Sequence, residues 1–284
     1  MPENASPNPT AEGKTIVITG ASDGIGAIAA KELAKQGANM VVIGRSPEKT
    51  KKVADEIGTE PLTADFSEFA QVRRLAEEIN DRVDHIDVLI NNAGGMFLHG
   101  NTTPDGHEPN FQINHLSPFL LTNLIKDKLV AAPAPRVIVT SSMGNNVGRV
   151  KMDDLDYKKR HGLDTFVYGT SKLENILFAR ELANRWEGDN ITGTAFHPGV
   201  VASEFGRDSW TAGLVYRTPI KKLVMISPEK GATPIVDLAT RANREEINRQ
   251  FFFRHKPNGP TSRQSNDREL MRQLWDRSEE LVGL

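Results

Sequence analysis

The chain has 284 residues, a formal charge of −2, and basic and acidic residues mixed along its length, so nothing in it favours binding to a polyanion and nucleic acid is not expected as a partner. It contains no cysteine, which excludes disulfides, thiolate catalysis, iron–sulfur clusters and Cys-ligated zinc. Its seven histidines are scattered without HExxH or another tight spacing, so no metal site is expected.

Residues 1–12, rich in Pro, Asn and Ser, lack the basic and apolar regions of a secretory signal and read as a disordered tail ahead of one domain, 13–284. No apolar run reaches the roughly 20 residues of a membrane span, and a cytoplasmic protein is expected.

Thr15–Thr19 is short, β-branched and continuously apolar or small, as suits a strand buried on both faces of a parallel sheet. Glycines follow, then a helical stretch to Gln36 with Gly37 placed to end it. Met40–Ile43 repeats the strand pattern and stops at Gly44-Arg45, where Ser46-Pro47 opens a second helix.

The alternation continues with a strand around Leu62–Ala64, a helix from Ser67 to about Arg82 and a strand at Ile86–Ile90. A helix is expected from about Phe111 to Val130, a strand at Arg136–Thr140, a long helix from near Thr165 to Trp186 and a strand at Ile191–Phe196. Ser203–Ser227 is irregular and aromatic. Beyond it come a helix near Pro228–Thr240, a last strand at Gln250–Phe253 and a helix over Asp267–Val282, with Leu270, Leu274 and Leu281 available to pack. Strand and helix in strict alternation define an α/β fold, a doubly wound parallel sheet with helices on both faces.

Thr19-Gly20-Ala21-Ser22-Asp23-Gly24-Ile25-Gly26 joins the first strand to the first helix with its glycines spaced GxxxGxG. Gly20 permits the tight turn, Gly24 lets backbone approach a phosphate, and Gly26 lets the helix sit near the sheet. The free N–H groups and positive dipole end of the helix suit a pyrophosphate. At the end of the second strand an acidic residue would select a ribose 2′-hydroxyl. Arg45 stands there instead and can make a charge-assisted contact to a 2′-phosphate, so NADP(H) is expected over NAD(H), although Asp23 works against it.

Tyr168 and Lys172 are four apart at the start of a helix and share one face. An ammonium about 5 Å away, at an effective dielectric of about 20, stabilises a phenolate by about 3 kcal/mol, roughly 2 pKa units. That would bring the phenol towards the range useful for proton transfer. Thr140-Ser141-Ser142 lies at the C-terminal end of a strand, where ligand crevices open in such sheets, and a serine hydroxyl there can hold a substrate oxygen.

Together the GxxxGxG loop, Asn91-Asn92-Ala93-Gly94, Ser142, the Tyr168/Lys172 pair and Pro198-Gly199 resemble the short-chain dehydrogenase/reductase family, over nearly the whole chain after the tail. The resemblance implies strand order 3-2-1-4-5-6-7 and a catalytic set of Asn114, Ser142, Tyr168 and Lys172. It places the cofactor against Gly20, Ser22, Asp23, Gly24, Ile25 and Gly26, then Arg45, Asp65 and Phe66, then Asn92, Ala93 and Gly94. Tyr168, Lys172, Pro198, Val200 and Ser203 complete the implied cofactor contacts. It also implies a homodimer or homotetramer formed through the helices bearing Asn114 and Tyr168.

Pro118, four residues after Asn114, has no N–H to give the Asn114 carbonyl. The helix is therefore expected to kink and free that acceptor for a water that links Lys172 to solvent.

Ser142 and Tyr168 lie 26 positions apart, about twice the spacing common in the family. The added segment Gly148–Leu163 and the chain's ending resemble the retinol-dehydrogenase-like branch. Walls of Met96–His99, the loop after Ser142 and Phe205–Tyr216 would suit an apolar small molecule carrying a carbonyl or alcohol. Epimerisation or dehydration on the same fold is disfavoured by GxxxGxG, because the extended branch carries GxxGxxG. A dinucleotide sensor or protein-binding regulator without turnover is the alternative, and it predicts a damaged reactive set.

Overall fold

A computed structural model describes residues 10–159, 162–201 and 226–284. Seven strands form one parallel sheet: β1 (Thr15–Thr19), β2 (Asn39–Gly44), β3 (Leu62–Thr63), β4 (Val88–Asn91), β5 (Arg136–Thr140), β6 (Thr192–His197) and β7 (Phe251–Phe253). Their order is β3-β2-β1-β4-β5-β6-β7, as the family resemblance implies, and every pairing is parallel. The direction reverses between β1 and β4, so a crevice opens at their C-terminal ends.

The strands alternate residues between two cores because successive side chains leave opposite faces. Val17, Val41, Leu89, Val137 and Val139 join one apolar cluster, while Ile16, Ile18, Val42, Ile90 and Ile138 join the other. On the second face lie α1 (Gly24–Lys35), α2 (Pro47–Ile57) and, in chain order the eighth helix, α8 (Pro228–Thr240). On the first lie α3 (Phe69–Arg82), α4 (Pro109–Phe111), α5 (Ser117–Leu124), α6 (Lys126–Val130), α7 (Asp164–Arg185) and α9 (Arg268–Val282). Phe119, Phe178 and Trp275 meet there at ring separations of 4.8–5.8 Å and anchor α9 on α5 and α7. Each such ring, fully buried, contributes about 1.5–3 kcal/mol.

Two differences from the sequence reading have local causes. The single helix expected over 111–130 begins at Pro109, passes through a π-helical turn at Gln112–Leu116 and breaks at Ile125. In that turn the Ser117 N–H reaches back five residues to the Gln112 carbonyl, and Pro118 follows without an N–H to offer Asn114. At the N-terminus the chain is already packed at Ala11, which is fully buried and whose carbonyl accepts the Lys14 N–H at 3.1 Å, two residues ahead of the expected boundary.

No helix among the described residues is long and apolar enough to cross a membrane.

Candidate active site

The loop between β1 and α1 is a backbone cradle. Gly20 (φ +67°) and Gly24 (φ +57°) adopt left-handed conformations that L side chains rarely enter. A Cβ on Gly26 would run into the Gly20 carbonyl, and one on Gly20 would lie 2.8 Å from the Ala93 Cα. Only glycines permit this approach of helix, loop and β4.

Asp23 caps α1, its Oδ1 accepting the Gly24 N–H at 2.7 Å. Thr19, unassigned by the sequence reading, is the hub below the loop: its Oγ1 accepts the N–H groups of Asn92 (3.0 Å) and Ala93 (2.9 Å). The Asn92 amide donates to the carbonyls of Thr19 (3.1 Å) and Gly20 (3.3 Å) and accepts from Thr140 Oγ1 (3.3 Å). One side chain thus ties the ends of β1, β4 and β5 together.

Arg45 is exposed immediately after β2. Asp65 follows β3, and its Oδ1 accepts from the N–H (2.9 Å) and hydroxyl (2.8 Å) of Ser67. The Phe66 ring lies in the core, and its carbonyl accepts the Ser117 hydroxyl at 2.6 Å. His197-Pro198-Gly199 is buried at the end of β6, and Val200 is exposed. Ser203 and the expected wall Phe205–Tyr216 lie outside the described residues. The glycine cradle, the N-terminal end of a 12-residue helix and a cation at the end of β2 fit a dinucleotide phosphate chain.

Across the reversal point the second half of the site is buried. Asn114, in the π turn, is clamped on Gly95: its Oδ1 accepts the Gly95 N–H and its Nδ2 donates to the Gly95 carbonyl, both at 2.9 Å. The same Nδ2 reaches Ser171 Oγ at 3.1 Å, and Ser171 in turn donates to the Tyr168 carbonyl at 2.8 Å. Lys172 Nζ donates to Asn114 Oδ1 (3.3 Å) and the Thr140 carbonyl (3.4 Å), and lies 5.5 Å from the centre of the Tyr168 ring. The Ser142 hydroxyl is hydrogen-bonded to the Tyr168 phenol and accepts the Gly144 N–H at 3.1 Å. All four residues expected to act together therefore converge. Gly94 (φ +153°) borders them, since a Cβ there would strike Asn114 Oδ1.

The electrostatics depart from the sequence reading. The ammonium was expected to draw the phenol downwards. Instead, burial pushes the Tyr168 phenol well above its ordinary value, and the Ser142 hydrogen bond offsets this only in part. Burial also brings Lys172 down to about 7. A low-dielectric pocket disfavours phenolate and ammonium alike, and desolvation outweighs their mutual attraction.

Within the added segment, residues 148–159 pack on the reverse side of α7. The Tyr157 hydroxyl bonds Thr170 Oγ1, which also accepts the Arg149 N–H at 3.0 Å. Asp156 pairs with His107 at 3.0 Å and so fastens the segment to the stretch ahead of α4. A Cβ on Gly169 would meet the Gly144 carbonyl, so α7 and the turn after Ser142 touch backbone to backbone. Leu98, Met143, Val147, Leu163 and Phe166 remain exposed on the segments around Tyr168. Among the described residues no three His, Cys, Asp or Glu side chains form a metal-binding group.

Comparison with known proteins agrees with this geometry. A family model described as short chain dehydrogenase matches residues 14–212. Retinol dehydrogenase 13 of Homo sapiens is 37% identical over 97% of this chain and 86% of its own length. A Streptomyces sp. (strain C5) protein, provisionally assigned as a daunorubicin C-13 ketoreductase, is 38% identical over 99% of this chain and 97% of its own. The crystal structure of an uncharacterized Mycobacterium paratuberculosis protein superposes with a TM-score of 0.79 at 30% identity, covering 100% of this chain and 98% of that one. On fold, site and sequence together, this chain belongs to the short chain dehydrogenase family, with retinol-dehydrogenase-like relatives.

Proposed function

We propose that the protein is an NADP(H)-dependent oxidoreductase that interconverts a carbonyl and an alcohol on an apolar small molecule. The observation that carries this reading is the convergence of Asn114, Ser142, Tyr168 and Lys172 at the C-terminal end of the sheet, beside the glycine cradle. When bound, the nicotinamide supplies or receives the hydride.

The residues of the chain handle the proton. Ser142 holds the substrate oxygen beside the phenol. In reduction Tyr168, kept protonated by burial, donates to that oxygen, and in oxidation it accepts. The phenolate left after donation is stabilised by the Lys172 ammonium, which also holds the nicotinamide ribose hydroxyls and returns a proton to the phenolate from the Asn114 side; in oxidation the proton leaves Tyr168 by the same path towards Asn114. The Asn114 carbonyl, which Pro118 cannot engage, holds the water that continues the path to solvent.

Gly20, Ser22, Gly24, Ile25 and Gly26 receive the pyrophosphate, and Arg45 the 2′-phosphate. Asp65, the Phe66 backbone and Asn92 border the adenosine, while Ala93, Gly94, Pro198 and Val200 line the remainder. The exposed apolar side chains around Tyr168 support an apolar substrate. The names of the relatives, a retinol dehydrogenase and a ketoreductase, describe the same alcohol–carbonyl exchange.

The test is NADPH oxidation, followed by absorbance, against a panel of aldehydes, ketones and quinones. Turnover of an apolar carbonyl is expected. Tight NADPH binding with silence across the panel would favour a dinucleotide sensor instead.

A further inference from the structure

We propose that Lys49 is a second cation for the 2′-phosphate of NADP(H), and that cofactor binding transfers it there from Asp23. The proposal rests on the reading of the crevice as an NADP(H) site and explains how an acidic residue is tolerated inside it.

Asp23 is exposed in the phosphate loop, where its carboxylate would repel an incoming phosphate carrying a charge of about −1.5 to −2. One oxygen is committed to the loop, capping the Gly24 N–H at 2.7 Å. The other meets Lys49 Nζ at 3.0 Å. Lys49 stands in the first turn of α2, four residues after Arg45, and its N–H bonds the capping hydroxyl of Ser46 at 3.4 Å.

The end of β2 is fixed against the loop. The Ala21 N–H bonds the Ile43 carbonyl at 2.9 Å, and a Cβ on Gly44 would lie 2.7 Å from that of Ser22. Arg45, Lys49 and Asp23 therefore share one rim of the crevice.

The pair is built to exchange. Both side chains are more than half exposed, at 54% and 62%, and ion pairs in such settings contribute little. A phosphate monoester offers the ammonium a doubly charged acceptor in place of a singly charged one. When it takes Lys49, Asp23 keeps its backbone partner at Gly24. NADH offers no such acceptor, so Lys49 stays on Asp23. Selectivity then comes from an exchange of partners that only a 2′-phosphate triggers.

Dissociation constants for NADPH and NADH, measured by nucleotide fluorescence on the full chain at fixed ionic strength, test this. Lys49→Met is expected to weaken NADPH about tenfold and NADH by less than about twofold, because it removes one charge-assisted contact and leaves Asp23 unneutralised. Lys49→Arg should keep the preference. Asp23→Asn retains a capping side chain, and combined with Lys49→Met it should recover part of the lost NADPH affinity, a non-additive cycle. Unchanged melting curves confirm that the variants fold.

Equal effects of Lys49→Met on both nucleotides, or no effect on either, would overturn the exchange while leaving NADP(H) use intact. A wild-type protein that binds NADH more tightly would overturn the underlying reading as well.

Discussion

The two halves of the crevice manage charge in opposite ways. On the β1–β2 side Asp23, Arg45 and Lys49 are solvent-exposed. On the β4–β6 side Asn114, Tyr168 and Lys172 are buried, Asn114 and Lys172 are bonded to fixed backbone groups, and the Tyr168 phenol is bonded to Ser142. Charge in water is cheap to rearrange and screened by salt. Polar groups in a packed interior are costly to hold and hard to move, and their proton affinities are displaced. The exposed half suits recognition of a ligand that comes and goes, the buried half a reaction geometry that must not change.

The largest effect that would break this contrast is at Tyr168. Tyr168→Phe keeps the ring and is expected to lower kcat by about 10³ while leaving the NADPH dissociation constant close to wild type. A loss smaller than tenfold would show that another group moves the proton.

Next is the backbone contact behind it. Gly169→Ala inserts a methyl group against the Gly144 carbonyl and should cost about 1–3 kcal/mol, seen as a lower urea midpoint. An unchanged midpoint would mean that the buried half yields more readily than argued.

Acid sharpens the contrast further. Burial holds His115 down to about 3 and His197 to about 4, so both stay neutral in the fold where the unfolded chain takes up protons near 6.5. The stability they contribute is complete above pH 6.5 and drains as pH falls towards those values. Glu108, raised by burial to about 7, acts with the opposite sign: its contribution is complete below 4.5 and is lost as pH rises through 7. His115, His197 and Lys172, which burial also lowers, outweigh Glu108 and give a net loss of about 2 kcal/mol between pH 7.5 and 5. A midpoint that is flat or rises on acidification would refute it, and Glu108→Gln should steepen the fall.

The smallest effect expected is at Pro118. Pro118→Ala supplies an N–H four residues after Asn114 and should lower kcat a few-fold, about 1 kcal/mol or less, with cofactor affinity unchanged. No change in kcat would remove the Asn114 carbonyl from the proton path.

Much of the frame was legible in the chain because it rests on local rules. Continuous β-branched runs marked the buried strands, and GxxxGxG marked the crossover from β1 to α1. Ser46-Pro47 marked the start of α2, where the Ser46 hydroxyl does accept the Lys49 N–H. What was missed depends on contacts distant in sequence. Thr19 becomes a hub only once β4 lies beside β1, 73 residues away. Ser171 matters because Asn114, 57 positions earlier, arrives next to it. The downward shift expected for Tyr168 failed because spacing reports the lysine's charge but not how dry the pocket is. Asp23 and Lys49, 26 residues apart, could be paired only after α2 was laid across the loop.

The π turn at Gln112–Leu116 has a consequence for how this helix can change. An ordinary helix advances about 100° per residue, so one surplus residue in a turn resets the angular phase of everything beyond it. Asn114 faces Lys172 while Phe119, Leu120 and Leu121 face the core, with the surplus taken up in the turn that carries Asn114. Deleting one residue there would restore regular winding, and one of the two faces would have to rotate out of alignment. The length of this stretch is thus quantised by the direction in which a single asparagine must point.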